Sequence, residues 1–167
     1  ELDAVLEKHI GIIPTKVKAN GKNLNPTDFR NQMELNPDDY IELTSYSHHP
    51  FYKQFVLEVP DNWSHALYYN LPIDELIDVM KTAIDSGYSV CWDGDVSEKL
   101  FIHKNGKADL PAEQLGKVGQ ELRQKTFLNR TTTDDHLMHV VGLSNDSEGR
   151  TCFYTKNSWG ADSNKHG

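Results

Sequence analysis

Cysteine is scarce in this chain. Cys91 and Cys152 are the only two thiols among 167 residues, which rules out a disulfide framework and leaves no Cys-x-x-Cys spacing for a structural zinc. Long apolar runs are missing too: none approaches the ~20 residues that cross a bilayer, so no membrane partner is expected. Positive charge is in deficit, with 17 Lys and Arg against 25 Asp and Glu and a net charge of -8. Without a strongly basic cluster, the chain lacks the electrostatic footprint of a nucleic-acid binder. Glycine and proline are not in excess, repeats and low-complexity segments are absent, and 37% of residues are hydrophobic. That composition excludes fibrous and disordered classes and suffices for one domain with a real core.

Hydrophobic spacing places the elements. Leu2, Val5, Leu6 and Ile10 recur at helical intervals and Gly11 stops them. The pattern begins without an N-cap, as expected of a chain cut from a longer one. Residues 16–19 read as a hairpin strand before the turn Asn20-Gly21. A helix over 27–35, capped by Thr27, carries Phe29 and Met33, and residues 40–44 and 51–59 read as extended. The clearest helix covers 73–86. Its stripe is Leu76, Ile77, Met80, Ala83 and Ile84, Asp74 and Glu75 sit at its positive end, and Gly87 caps it. A strand over 88–93 and an edge strand over 99–103 follow, then the turn Asn105-Gly106. A second helix is expected over 112–124, although its interior Gly116 and Gly119 each cost about 1 kcal/mol relative to Ala.

Residues 136–144 are apolar on both alternating faces, with Met138, Val140 and Gly142 on one and Leu137 and Val141 on the other. That pattern predicts a strand buried on both sides. The turn formers Asn145-Asp146-Ser147-Glu148-Gly149 lead into a second strand over 151–157. If the turn is centred between Asp146 and Ser147, Leu143 faces Arg150 and His136 faces Asn157. Opposed side chains have Cβ atoms about 4.5–5.5 Å apart, so an imidazole and a carboxamide would meet on one face. A one-residue bulge would break that pairing. A His held by an Asn oxygen is the orienting half of a Cys-His-Asn hydrolytic site; on residue types alone a structural His–Asn pair is the more common reading.

Asp135-His136 leading into Val140-Val141-Gly142, then Lys156-Asn157-Ser158-Trp159-Gly160, resembles the His and Asn motifs of papain-like cysteine peptidases. Tyr69-Asn70-Leu71-Pro72, the helix after it, and Val90-Cys91-Trp92-Asp93-Gly94-Asp95-Val96 resemble one branch, aminopeptidase C or bleomycin hydrolase. The resemblance implies an α+β, papain-like fold, mainly the antiparallel β-barrel half with packed helices, incomplete at both ends. It implies His136 and Asn157 as catalytic residues and Trp159 as the indole that shields their hydrogen bond. It also places the strand of Asp93, Gly94 and Asp95 beside the substrate cleft, with Asp135 next to the catalytic His; a plain acidic turn and a surface Asp are the competing readings. A peptide substrate, a hexameric assembly and a cytoplasmic location are further implications, and no cofactor is implied. The family's nucleophile motif, Gln-x-x-x-x-x-Cys-Trp, is absent, and neither Cys91 nor Cys152 sits in one. The expectation is therefore a C-terminal-side piece of a cysteine aminopeptidase, inactive alone; the alternative is a non-catalytic papain-like binding domain.

No metal site is expected. His136 and His139 are three apart and point to opposite faces of a strand. Adjacent His48 and His49 diverge if the backbone is extended.

Overall fold

The computed structural model describes residues 2–111 and 118–166, and the chain divides into two compact units, one up to Ile41 and the other from Glu42. The first unit holds α1 (Leu2–Ile10), a hairpin of β1 (Val17–Ala19) and β2 (Lys22–Leu24), α2 (Pro26–Gln32) and a 3-10 turn at Pro37–Asp39. Asn20 and Gly21 both have positive φ (49° and 76°), as a two-residue hairpin turn demands. The cap of α2 is Asn25, not Thr27. Its Oδ1 accepts from Asp28 N at 2.8 Å, and Pro26 occupies the first helical position, where a missing N–H costs nothing.

The second unit carries the chemistry. One three-stranded sheet has the order β3 (Leu43–Thr44), β5 (Leu67–Asn70), β4 (Gln54–Val56), with β3 parallel and β4 antiparallel to β5. The 13-residue α3 (Ile73–Asp85) follows directly. The other three-stranded sheet has the order β10 (Thr151–Lys156), β9 (His136–Asn145), β6 (Val90–Gly94), antiparallel throughout. A short pair, β7 (Phe101–Ile102) and β8 (Lys107–Ala108), turns through Gly106 at φ +61°. The architecture is α+β, and no closed barrel forms among the described residues.

The expected stripe of α3 is the half-buried one, and the helix lies against β9 and β6. Ser86 ends it and Gly87 follows at φ +86°. Of the helix expected over 112–124, the described residues show 120–124 as the start of α4 (Gln120–Leu128). Gly119 is its N-cap, with extended φ of -119°, so this glycine precedes the helix and does not lie inside it. Residues 112–117 lie outside the described residues.

Among the described residues few apolar side chains are buried: Phe55, Leu57, Leu71 and Val140. The largest completely buried side chains are polar, Asn70 and Ser45. Buried polar atoms persist only when paired, and these are. Asn70 Oδ1 accepts from Tyr46 N at 2.9 Å, and its Nδ2 donates to the carbonyls of Tyr46 (2.8 Å), His49 (3.0 Å) and Pro50 (3.2 Å). Ser45 Oγ donates to Gln120 Oε1 at 3.0 Å, and that oxygen also takes Ile73 N at 2.9 Å. One side chain thus links β3, the start of α3 and the start of α4.

Replacing Asn70 by Ala orphans one buried N–H and at least two buried carbonyls. At ~1–3 kcal/mol per unsatisfied group, we expect a loss of at least about 3 kcal/mol in denaturant unfolding. Asn70→Ala with a midpoint within error of the parent would contradict the hub role.

Candidate active site

His136 is the first residue of β9, and Asn157 is the first residue past β10. His136 Nε2 lies 2.8 Å from Asn157 Oδ1. Asn157 Oδ1 also accepts from Ser158 N at 2.7 Å. That second donor needs an oxygen, which fixes which end of the carboxamide faces the imidazole. The ring therefore carries its proton on Nε2, and Nδ1 is left as a base. Trp159 packs beside the pair, with its ring centroid 5.0 Å from that of His136 and a tilt of 40°.

Sequence reasoning missed the seat of this indole. His103 stands edge-on to Trp159 at 4.6 Å, and Phe101 closes a second side at 6.2 Å. Asn164 Nδ2 donates to His103 O at 2.8 Å and ties the tail to that wall. Two buried atoms here have no partner, His103 Nε2 and Asn157 Nδ2. The only sequence signal was an aromatic and a His at alternate positions of a short edge strand.

The contact between His136 and Asn157 arises by a different register from the one expected. Leu143 pairs with Phe153, not Arg150, because the loop is held open by Asp146. Asp146 Oδ1 accepts from Glu148 N and Arg150 N, both at 2.9 Å, and Gly149 sits at φ +78°. Tyr154 pairs with Gly142 but Thr155 pairs with Val140, so Val141 is the extra residue of a β-bulge. The bulge, expected to spoil the contact, belongs to the geometry that makes it. Burial is also one-sided: Val140 is 2% exposed, while Leu137 and Val141 are exposed. Antiparallel sheets commonly leave one face open.

Two of the acidic residues singled out in the sequence brace the start of β9. Asp135 N donates to Gly94 O at 3.0 Å, and Asp135 Oδ1 accepts from Val96 N at 2.9 Å. Asp95 Oδ2 accepts from Thr133 N at 2.8 Å, while its Oδ1 takes Ser97 N and Oγ. These bonds lock the end of β6 to the segment just before His136 and hold the Asp95 carboxyl below its ordinary value, against partial burial. Gly94 pairs with His136. A Cβ there would stand 1.9 Å from the Trp92 indole, so the glycine is required by packing.

Asp93 pairs with Leu137, and so alternates onto the sheet face opposite His136. Partial burial pushes its carboxyl above the ordinary value, and Asp134 and Asp61 push it further. Asp134 is raised as well, first by burial. Neither cysteine faces His136. Cys91 pairs with His139 on the opposite face. Cys152 pairs with Ser144, eight residues along β9 from His136, or roughly 27 Å at strand rise.

His48 and His49 do not diverge. They lie in a turn, not in extended chain, and both Nε2 atoms reach Glu58, at 3.1 and 2.7 Å. Among the described residues these three are the one His/Cys/Asp/Glu group able to hold a metal ion. Partial burial raises the Glu58 carboxyl, but the bonds to His49 and His48 outweigh that and hold it at about 2.

Two substitutions test the site's construction. Gly94→Ala must displace the Trp92 indole; overpacking of this kind costs ~1–3 kcal/mol, so thermal unfolding should shift downwards, and an unchanged midpoint would contradict the packing. Asp93→Asn tests the electrostatics. A carboxyl raised in the folded state makes stability fall as pH rises through its unfolded and then its folded value. Asp93→Asn should therefore unfold at higher temperature than the parent at about pH 7, with the gain fading below about pH 4. A gain of equal size at both pH values would remove the charge explanation.

No curated protein matches this chain. Among solved structures, PepW from Lactobacillus rhamnosis is similar, with a TM-score of 0.66 and 20% sequence identity. The match covers 94% of this chain and 40% of that one, so the chain spans two-fifths of the length of this neighbour. The fold is thus papain-like. Residues 15–167 match the Peptidase C1-like family, and the chain belongs to that family.

Proposed function

We propose that this chain carries the His and Asn of a cysteine aminopeptidase that removes N-terminal residues from peptides. The observation that supports it most is the 2.8 Å contact between His136 Nε2 and Asn157 Oδ1. It leaves Nδ1 as the basic nitrogen, in a chain of the Peptidase C1-like family.

In this reading a cysteine thiol from outside residues 1–167 gives its proton to His136 Nδ1. The thiolate adds to the scissile carbonyl carbon, the C–N bond breaks, and the His136 imidazolium protonates the departing amine. Water then attacks the thioester with His136 again taking the proton, which frees the acid and the thiol. Asn157 keeps the ring in one tautomer throughout, and Trp159 shields the bond that does so. Asp95 and Asp135 act as positioning residues through the β6–β9 brace.

Preference for a free N-terminus rests on the resemblance of residues 69–72 and 92–96 to aminopeptidase C. An α-amine with pKa ~7.7–8.0 is largely protonated at neutral pH and suits a carboxylate stop in the cleft. The hexamer of that branch belongs to the same proposal. The competing reading, a non-catalytic papain-like binding domain, predicts no thiol nucleophile in the complete reading frame.

The full-length protein should turn over an aminoacyl amide with a free amine and reject its N-acetyl form. Equal turnover of both would leave a generic papain-like peptidase, and none of either would favour the binding domain. Asn157→Ala should lower kcat by at least about tenfold with little change in KM, because orientation is lost and not binding. The chain 1–167 alone should be inactive; activity abolished by Cys91→Ala would overturn the external nucleophile.

A further inference from the structure

A second constellation lies on the β3–β5–β4 sheet, apart from His136. His48 and His49 sit in the turn that Asn70 pins through the carbonyls of His49 and Pro50. That turn is why two consecutive side chains share a direction. Phe55, buried in β4, stacks on the His49 ring at 4.1 Å and meets the His48 ring edge-on at 5.8 Å. Phe127 of α4 stacks on His48 from another side, at 5.4 Å and 17°. Both rings are therefore held by packing before any ligand arrives.

We propose that His48 Nε2, His49 Nε2 and the Glu58 carboxylate form a zinc-binding site, with the remaining coordination filled by water. The three donor atoms lie within 4.8 Å of one another. Tetrahedral zinc with N and O ligands at ~2.0–2.2 Å sets donors about 3.4 Å apart, so closure asks for small side-chain movements. Two imidazoles and one carboxylate suit a borderline divalent transition ion. Calcium and magnesium want more oxygens, and neither cysteine belongs to the group to favour a softer metal.

The outer contacts fit as well. A metal on Nε2 requires the proton on Nδ1, and that proton needs an acceptor. His48 Nδ1 lies 3.0 Å from Gln124 Nε2, which donates to it in the metal-free protein, and 3.3 Å from Oε1 of the same carboxamide, so a proton on Nδ1 finds its acceptor by a small shift of that side chain. The side chains of His48 and His49 are 26% and 32% exposed and that of Glu58 54%, which gives an ion a path in and leaves room for water. Without metal, each ring donates from Nε2 to the carboxylate. On binding, that proton moves to Nδ1 and the two Nε2 lone pairs turn to the ion.

Calorimetric titration of the metal-free protein with Zn2+ should give one saturable site, and the unfolding temperature should rise with zinc and fall back with chelator. Co2+ in the unmodified protein should give visible absorption from N/O coordination that added zinc displaces. Glu58→Gln, which keeps the shape and a hydrogen-bond acceptor, should weaken zinc by more than about tenfold; His49→Gln should do the same. His139→Ala, an exposed His elsewhere, should leave affinity unchanged. No saturable heat and no cobalt spectrum would overturn the site, as would affinity indifferent to Glu58→Gln and His49→Gln. Peptide hydrolysis plays no part in this readout, so the proposal stands or falls independently of the His136–Asn157 reading.

Discussion

The buried carboxamide of Asn70 is the constraint on which the second unit depends. It satisfies an N–H and three carbonyls of residues 46–50 from the end of β5. By fixing that turn it aims His48 and His49 and sets Tyr46 against Arg123 of α4, whose guanidinium lies 4.6 Å from the ring centroid. Three residues after Asn70 the chain enters α3, whose first amide is held by Gln120. The helix in turn lies against β6 and β9, the strands that bear the candidate site. A polar hub suits a unit with so few buried apolar side chains among its described residues. Apolar packing is non-directional, whereas a satisfied carboxamide specifies one arrangement of several segments.

Electrostatics divides the labour among the acidic residues. Asp95 and Asp135 accept from backbone amides and so hold the end of β6 to the start of β9. Burial raises the carboxyls of both Asp93 and Asp134; Asp134 and Asp61 raise Asp93 further, and Asp61 and Asp135 raise Asp134. Neighbouring carboxylates in each of the two acidic stretches, 93–95 and 134–135, therefore differ in role: Asp95 and Asp135 take backbone amides across the β6–β9 join, while burial opposes the ionisation of Asp93 and Asp134.

Much of this was legible from pattern. The stripe of α3, the strands around Val90, Val140 and Tyr154, and the meeting of His136 with Asn157 follow from periodicity and from motif resemblance. What escaped has physical causes. Gly119 looked like a helix interior because spacing cannot tell an interior glycine from a cap. Thr27 lost the cap to Asn25 because Pro26 fixes the helix start. The two-sided burial of β9 failed because apolar residues on an open sheet face look the same in sequence as those on a covered one. The divergence of His48 and His49 assumed extended chain, and nothing local announces a turn that a distant Asn imposes.

The bulge at Val141 shows how far one residue can matter. Had pairing continued from Tyr154–Gly142 without interruption, Asn157 would stand opposite His139, on the wrong face of the sheet for His136. With Val141 set aside, Thr155 meets Val140 and Lys156 meets His139. Asn157 then falls beside Met138, on the face of His136 and one diagonal step away. Such diagonal neighbours are within reach of long or aromatic side chains, and the 2.8 Å bond is the result. The same shift reconciles two apolar sets: Val140 faces inwards near the site and Leu143 near the hairpin tip, while Tyr154 turns out to solvent. A hairpin without the extra residue could satisfy the packing at one end or the other. With it, the packing at both ends and the His–Asn bond coexist, which is why the expected contact survives a register that pairing alone would not have chosen.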